Sequence, residues 1–247
     1  MAPPATSPRG AGIVRSLFAD DVRVAEVDPR RVDPSVLLPE EERQVARAVD
    51  KRRRQFAAGR LLARRLIAEL GGPAELPLLN GEDRAPIWPA GIVGTISHTD
   101  RWAAVAAARQ GEIRSLGCDL ELDGPLEPAT WRVVLTPDER ADLESLPAAD
   151  RGLMAKRFFC AKEATYKALY PLTGAVLEFD DLELELDPDG AGFQAVLKRP
   201  VALFDEGESL GGGLQTADGL IAAAVTIRSC RAGGRYATDA TPDRTAT

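Results

Sequence analysis

Three of the chain's five lysines, Lys156, Lys162 and Lys167, fall in or beside the stretch RFFCAKEATYKAL at residues 157 to 169, although the chain also holds twenty-six arginines. Lys162 and Glu163 adjoin an apolar helix face made of Phe158, Phe159, Ala161, Ala164 and Leu169, as the lining of a site would. Glu163 and Lys167 are four apart with the glutamate first, so they could equally form a surface ion pair worth about 0.2 to 0.5 kcal/mol. Upstream, in LGCDLELDG, Asp119 and Glu121 are separated by one residue, and a strand there puts both carboxylates on one face. Two close carboxylates repel each other; a hard divalent cation such as Mg²⁺ relieves that repulsion and prefers such oxygens. An acidic outward strand face would use the same pattern.

Other candidates carry positive charge or hydrogen-bond donors. GTISHTD holds the only histidine, His98, preceded by Ser97, and at a strand end both could donate to a phosphate oxygen; a turn or satisfied core histidine is the plainer reading. KRRRQFAAGR brings Lys51, Arg52, Arg53, Arg54 and Arg60 into three helical turns, with Arg52 and Arg60 on nearly the same face and Phe56 between them. Guanidinium groups so placed could hold a phosphate bidentately, and a solvated basic helix end would look the same. A second histidine, a nucleophile elbow, a Walker phosphate loop, a dinucleotide fingerprint and a metal-binding cysteine pattern are all missing from the sequence, which argues against a serine-hydrolase triad and the common nucleotide-loop classes.

These residues need elements to position them. The 247 residues are enough to bury a sizeable core, and 45% are hydrophobic. The net charge of -7 argues against a broad nucleic-acid surface, so any anion site must be local. The start, MAPPATSPRG, has no apolar stretch of the signal-peptide kind and no later run could span a membrane, so a cytoplasmic protein is expected. Cys118, Cys160 and Cys230 are far apart and read as buried small hydrophobes. Pro39 and the three glutamates after it start a helical pattern that runs, with a break, to Gly71 and Gly72. A Pro- and Gly-rich loop covers 73 to 94, and apolar runs at 92–96, 102–108 and 114–122 predict strands. Thr136, Pro137 and Glu139 predict the start of a helix over 137–146, and a second helix covers 149–170. The last third predicts strands of a second sheet, while residues 1–12 and 231–247 are expected to be disordered.

Each half therefore reads as a long helix followed by a sheet, 13–112 and 113–230, the second carrying the metal and catalytic candidates. RQFAAGRLLARRL (54–66) placed under RFFCAKEATYKAL pairs Arg54 with Arg157, Phe56 with Phe159, Ala58 with Ala161 and Leu66 with Leu169. Arg60 then stands opposite Glu163, and Arg64 opposite Lys167. A pseudo-twofold duplication accounts for this likeness, and a cleft between the halves is a natural binding site.

Taken in chain order, the basic helix with Phe56 and Gly59-Arg60, then Trp88-Pro89, SHT, GCDLE and FCAKEATYKAL resemble the 4′-phosphopantetheinyl transferases. The likeness is to the large two-lobed kind that activates siderophore, nonribosomal-peptide and polyketide synthases, and it covers residues 50 to 170. It implies an α+β fold of two similar helix-plus-antiparallel-sheet halves related by a pseudo-twofold. It also implies Asp119, Glu121 and Glu163 as Mg²⁺ ligands, with Arg52, Arg60, Arg84, Ser97, His98, Lys162 and Lys167 contacting the phosphates of coenzyme A. Cys118 stands where the family usually has Ile or Val, a change that a buried strand tolerates.

The implied reaction moves phosphopantetheine from coenzyme A to a serine of an apo acyl or peptidyl carrier protein and releases adenosine 3′,5′-bisphosphate. Glu163 and Lys167 are the catalytic candidates, as general base and as pyrophosphate stabiliser. The partners expected are coenzyme A and the carrier, with no nucleic acid and no membrane, and the protein is expected to be a monomer. Carrier docking is expected on a local apolar and basic patch near residues 124–160, because carriers are acidic and so is this chain. A different Mg²⁺-dependent phosphotransferase, or a non-enzymatic module that binds coenzyme A or a carrier, would use many of the same residues.

Overall fold

Two alanine-rich strands lie back to back at the middle of the molecule. The computed structural model describes residues 12–229 and 236–238. In it β1 (Arg23–Val27), β2 (Ile92–His98) and β3 (Ala103–Arg109) form an antiparallel sheet in the order β1-β3-β2. A second antiparallel sheet runs β4-β8-β7-β6-β5, from β4 (Ile113–Leu122), β5 (Leu182–Leu186), β6 (Gly192–Leu197), β7 (Ser209–Ala217) and β8 (Leu220–Ser229), and β9 (Tyr236–Thr238) pairs with β8. Side chains alternate across each strand. Val105 and Ala107 of β3 therefore face helix α2 (Asp50–Glu69), where they pack with Leu62, Leu66 and Ile67. Ala104, Ala106 and Ala108 face the second sheet, against Leu116, Cys118 and Leu120 of β4 and Ala222 and Ala224 of β8. The other face of β8, Ile221, Ala223, Val225 and Ile227, packs under α5 (Ala148–Thr173).

The layers are thus helix, sheet, sheet, helix. A strand buried on both faces loses the alternation of a half-exposed one, which is why AAVAAA reads as a continuous apolar run. Alanine at the inner positions of β3 and β8 lets the two sheets approach closely, while Leu62, Leu66 and Ile67 on one side and Ile221, Val225 and Ile227 on the other fill the helix-facing layers. Burying each of those contributes roughly 1.5 to 3 kcal/mol.

At the seam, β2 and β4 are the facing edges of the two sheets. Thr95 Oγ1 accepts from the Cys118 N–H at 3.1 Å and Ser97 Oγ accepts from the Leu120 N–H at 3.1 Å. Side-chain hydroxyls thereby satisfy edge donors that would otherwise be buried without a partner. Gly117, the residue before Cys118 on β4, lies directly beneath α5: a Cβ there would stand 2.0 Å from the Ala164 carbonyl oxygen. Only glycine permits that approach, and Gly117→Ala would have to push the helix off the strand.

The short helices α1 (Pro39–Val45), α3 (Trp131–Val134) and α4 (Pro137–Ser145) precede the long ones. Thr136 and Glu139 make the expected reciprocal cap, the Thr136 hydroxyl accepting from the Glu139 N–H at 3.2 Å and the Glu139 carboxylate accepting from the Thr136 N–H at 2.8 Å. Helix α5 ends at Gly174 in the left-handed region, φ 62°. No helix among the described residues is long and apolar enough to cross a membrane. Cys118 and Cys160 are buried, and burial pushes the Cys118 thiol up to about 12 and raises that of Cys160 as well.

The structure corrects the sequence reading in three places. Strand β1 lies in a stretch that gave no signal, since RVAEV is short and its buried residue is the small Ala25. Residues 236–238 form β9 within a tail expected to be disordered; Cys230, residues 1–11 and the rest of that tail lie outside the described residues. The internal alignment also shifts. Buried Glu41 accepts from the Leu38 and Leu78 N–H groups at 3.0 Å each and pairs with Arg64, which also donates to the Val36 carbonyl at 2.6 Å. Buried Glu139 accepts from the Thr136 and Leu184 N–H groups and pairs with Lys162 at 2.7 Å, and Lys162 donates to the Val134 carbonyl at 2.9 Å. Val36, Leu38, Glu41 and Arg64 match Val134, Thr136, Glu139 and Lys162 at one constant displacement, 98 positions. The counterpart of Arg64 in this bonding pattern is therefore Lys162 and not Lys167. Helix composition alone could not decide between registers, because alanine-rich helices align well in several.

Candidate active site

A cleft of about 950 Å³ opens between the halves, within the usual range for small-molecule sites. It is bordered by α2, by the loop from Asn80 to Trp88, by β2 and by the C-terminal half of α5. Arg52, Arg60, Arg84, His98 and Lys167 all line it.

Lys167 reaches out of this cleft to the carboxylates. Its ammonium donates to Asp119 Oδ1 at 2.6 Å, and Ser97 Oγ donates to the same oxygen at 3.0 Å. Asp119 shares the α5-facing side of β4 with Gly117, so the close approach at that glycine is what brings the lysine within reach. Burial alone would lower the Lys167 pKa, but the Asp119 ion pair outweighs it and the net shift is upward, so the ammonium stays charged. Asp119 is only 5% exposed, and its second oxygen, Oδ2, is buried with no partner.

Glu121, next on the same strand face, pairs with Lys156 at 3.0 Å. Burial raises its carboxyl above the usual range, as does the Asp119 charge, against the opposing pull of Lys156. The Glu163 side chain makes no hydrogen bond to a described residue. Burial raises its pKa too, Lys167 opposes the rise, and repulsion from Asp119 and Glu121 adds to it. The three carboxylates are thus electrostatic neighbours, although no group of three His, Cys, Asp or Glu side chains among the described residues is drawn together as a metal cage. An unpartnered buried carboxylate oxygen, beside two carboxyls whose pKa is raised by burial and by neighbouring negative charge, suits a hard divalent cation.

On the opposite wall His98 lies against Arg52, whose guanidinium approaches Nε2 at 2.5 Å. Arginine can only donate, so Nε2 is the unprotonated nitrogen and the ring is neutral. Burial drives the His98 pKa down to about 4, assisted by the charges of Arg52 and Lys167. Arg60 is buried, stacks 3.8 Å over the Phe56 ring, and donates to the Leu78 carbonyl at 3.0 Å and to Asn80. Its burial lowers its pKa to about 10, still charged at neutral pH. Arg84 lies in the loop with φ 69°, exposed at the mouth.

Two expected phosphate contacts are placed elsewhere. Lys162 is 1% exposed, and its ammonium donates to Glu139, to the Val134 carbonyl and to the Phe179 carbonyl at 2.9 Å, which accounts for all three of its N–H bonds. Burial lowers the Lys162 pKa and raises that of Glu139, and the pairing opposes both shifts. Ser97 is buried and spends its hydroxyl on Asp119 and the Leu120 N–H, so it orients the carboxylate instead of facing the cleft. Conversely, Arg114, Tyr166 and Tyr170 line the cleft without having been singled out, and Trp88, noted only as part of the WP dipeptide, lines it too. Tyr166 and Tyr170 had the hint that they lie on the Lys-Glu helix, and Arg114 had none.

Comparisons with known proteins cover both halves of the chain. Residues 40–108 match the model of the 4′-phosphopantetheinyl transferase N-terminal domain, and residues 115–224 match that of the 4′-phosphopantetheinyl transferase superfamily. The 4′-phosphopantetheinyl transferase Svp of Streptomyces mobaraensis is 45% identical over 170 residues, 68% of this chain and 69% of that one. The chain belongs to the 4′-phosphopantetheinyl transferase family. Two further transferases, Npt of Nocardia iowensis (39% identical; 76% of this chain, 87% of that one) and PptT of Mycobacterium tuberculosis (37%; 74% and 79%), are similar over most of their lengths. The two family models divide between β3 and β4, where one sheet of this transferase gives way to the other.

Proposed function

We propose that this transferase binds coenzyme A in the cleft between its halves and moves the phosphopantetheine arm to a serine of an apo acyl or peptidyl carrier protein. The observation that carries this reading is Lys167, which lines the arginine-rich cleft and bonds to buried Asp119, whose other oxygen is left without a partner. Arg52, Arg84 and His98 would meet the phosphates, the neutral His98 ring accepting from the Arg52 guanidinium at Nε2. Arg60, already bonded to the loop, adds buried positive charge more than free donors. Lys162 is left out of the phosphate set because its N–H groups are committed. Asp119, Glu121 and Glu163 would hold Mg²⁺, which when bound supplies charge neutralisation to the pyrophosphate.

The carrier serine oxygen forms a new bond to the β-phosphorus of coenzyme A, and the bond from that phosphorus to the oxygen bridging the α-phosphate breaks. Adenosine 3′,5′-bisphosphate leaves. Glu163, a carboxylate with a raised pKa and no competing hydrogen bond, takes the serine proton. Lys167 stabilises charge on the pyrophosphate oxygens through the transition state. The reading extends to an enzyme acting as a monomer in the cytoplasm.

Incubating the protein with coenzyme A, Mg²⁺ and an apo carrier is expected to add the phosphopantetheine mass to the carrier. No added mass across a panel of acyl and peptidyl carriers would overturn the reading. Mg²⁺ alone should raise the melting temperature of the wild type but not of Asp119→Asn.

A further inference from the structure

A hydroxyl from one half reaches a carboxylate of the other at the mouth of the cleft. Tyr170, in the last turn of α5, donates to Asp83 Oδ2 at 2.7 Å although the two are 87 positions apart. The Tyr166 ring packs against that of Tyr170 with centroids 5.6 Å apart, which limits the directions the hydroxyl can take. Asp83 also shapes its own loop, because its Oδ1 accepts from the Ala85 N–H at 3.0 Å. With Arg84 N–H donating to the Gly81 carbonyl at 3.0 Å and Gly81 N–H to the Ala85 carbonyl at 2.9 Å, residues 81–85 form a closed turn. Arg84 at its tip is in the left-handed region, φ 69°, an unfavourable backbone for a residue with a Cβ that persists only when its surroundings hold it. Arg84 and Arg52 line the same cleft, and the charge of Arg84 is felt at Arg52 on α2. Two cations that repel in the free protein need something other than each other to keep them together.

We propose that Asp83 and Tyr170 form a clasp between the two halves that holds the 81–85 turn over the cleft, so that Arg84 meets an anionic ligand opposite Arg52. Both are positioning residues: they set the affinity for coenzyme A, not the rate of transfer. The affinity part rests on the reading that the cleft takes coenzyme A. One hydrogen bond to a carboxylate at an exposed site predicts a modest effect, about threefold to tenfold.

The test uses Tyr170→Phe, which removes only the hydroxyl, Asp83→Ser, which keeps an oxygen able to accept from Ala85 N–H but is too short to reach Tyr170, and the double variant. Each single variant should raise the KM for coenzyme A about threefold to tenfold with kcat within about twofold of wild type. The double variant should be no worse than the weaker single one, because the two residues make one interaction. In the ligand-free protein, amide exchange of residues 81–85 should quicken in Tyr170→Phe. An unchanged KM in Tyr170→Phe, multiplicative effects in the double variant, or a fall in kcat alone would overturn the positioning role. Unchanged exchange would overturn the clasp itself. Exchange needs no ligand, so if the wild type neither binds coenzyme A nor loads a carrier, the cleft reading fails while the clasp is still judged.

Discussion

The two halves carry the same buried ion pair and use it differently. In the first, Glu41 ties its own helix start, the Leu78 N–H and Arg64, whose side chain is 13% exposed; in the second, Glu139 does the same with Leu184 and Lys162, at 1%. Arginine at the partly open site keeps donors beyond those it uses. Lysine at the closed site has three donors and three acceptors, so nothing is left over. The lesson is that the first lysine of a Lys-Glu-Ala-x-x-Lys motif can be a structural anchor while the second, five residues on, faces the cleft. The anchor fixes the roll of α5, and the roll decides which of its charged residues reach the cleft.

The widest gap between the halves should appear on removing the cations. Lys162→Ala strands a buried carboxylate and is expected to cost about 3 to 5 kcal/mol of unfolding free energy by urea denaturation. Arg64→Ala, at a site water can reach, should cost less, about 2 kcal/mol. Equal losses would break the contrast, and a wild-type stability for Lys162→Ala with weakened coenzyme A binding would return that lysine to the cleft. Lys167→Ala should show a different profile, with transfer slowed about a hundredfold or more and a smaller stability loss than Lys162→Ala, because the Lys167 side chain is 28% exposed and water can reach the pair. If its stability falls as far as that of Lys162→Ala, the division of labour along α5 is wrong.

The remaining effect expected is on pH. His98 has a folded pKa of about 4 against an ordinary value of 6.5, so the unfolded chain binds more protons in that window. Its contribution to stability is therefore complete above pH 6.5 and is lost as the pH falls toward 4. Comparing the pH dependence of unfolding in wild type and His98→Asn isolates it, and parallel curves would show that the ring is not held neutral between Arg52 and Lys167.

Much of this was legible in the chain. Capping at Thr136 and Glu139, the stop at Gly71, the strands around Asp119 and the helix carrying Glu163 are local patterns, set by propensity, periodicity and turn chemistry over a few residues. So were the residue types a phosphate and metal chemistry would need, in an order that resembles one family. What the sequence could not decide was which way each side chain turns. Ser97 and His98 are neighbours on one strand, and alternation sends one into the seam and the other to the cleft. Lys162 and Lys167 differ by five positions on a helix, and only the packing of α5 over Gly117 assigns one to Glu139 and the other to Asp119. The Asp83 to Tyr170 contact joins residues from different halves and leaves no periodic trace at all. Residue chemistry is written locally, whereas convergence depends on how two sheets and two helices stack, and that is settled by side-chain volume across distances no sequence window spans.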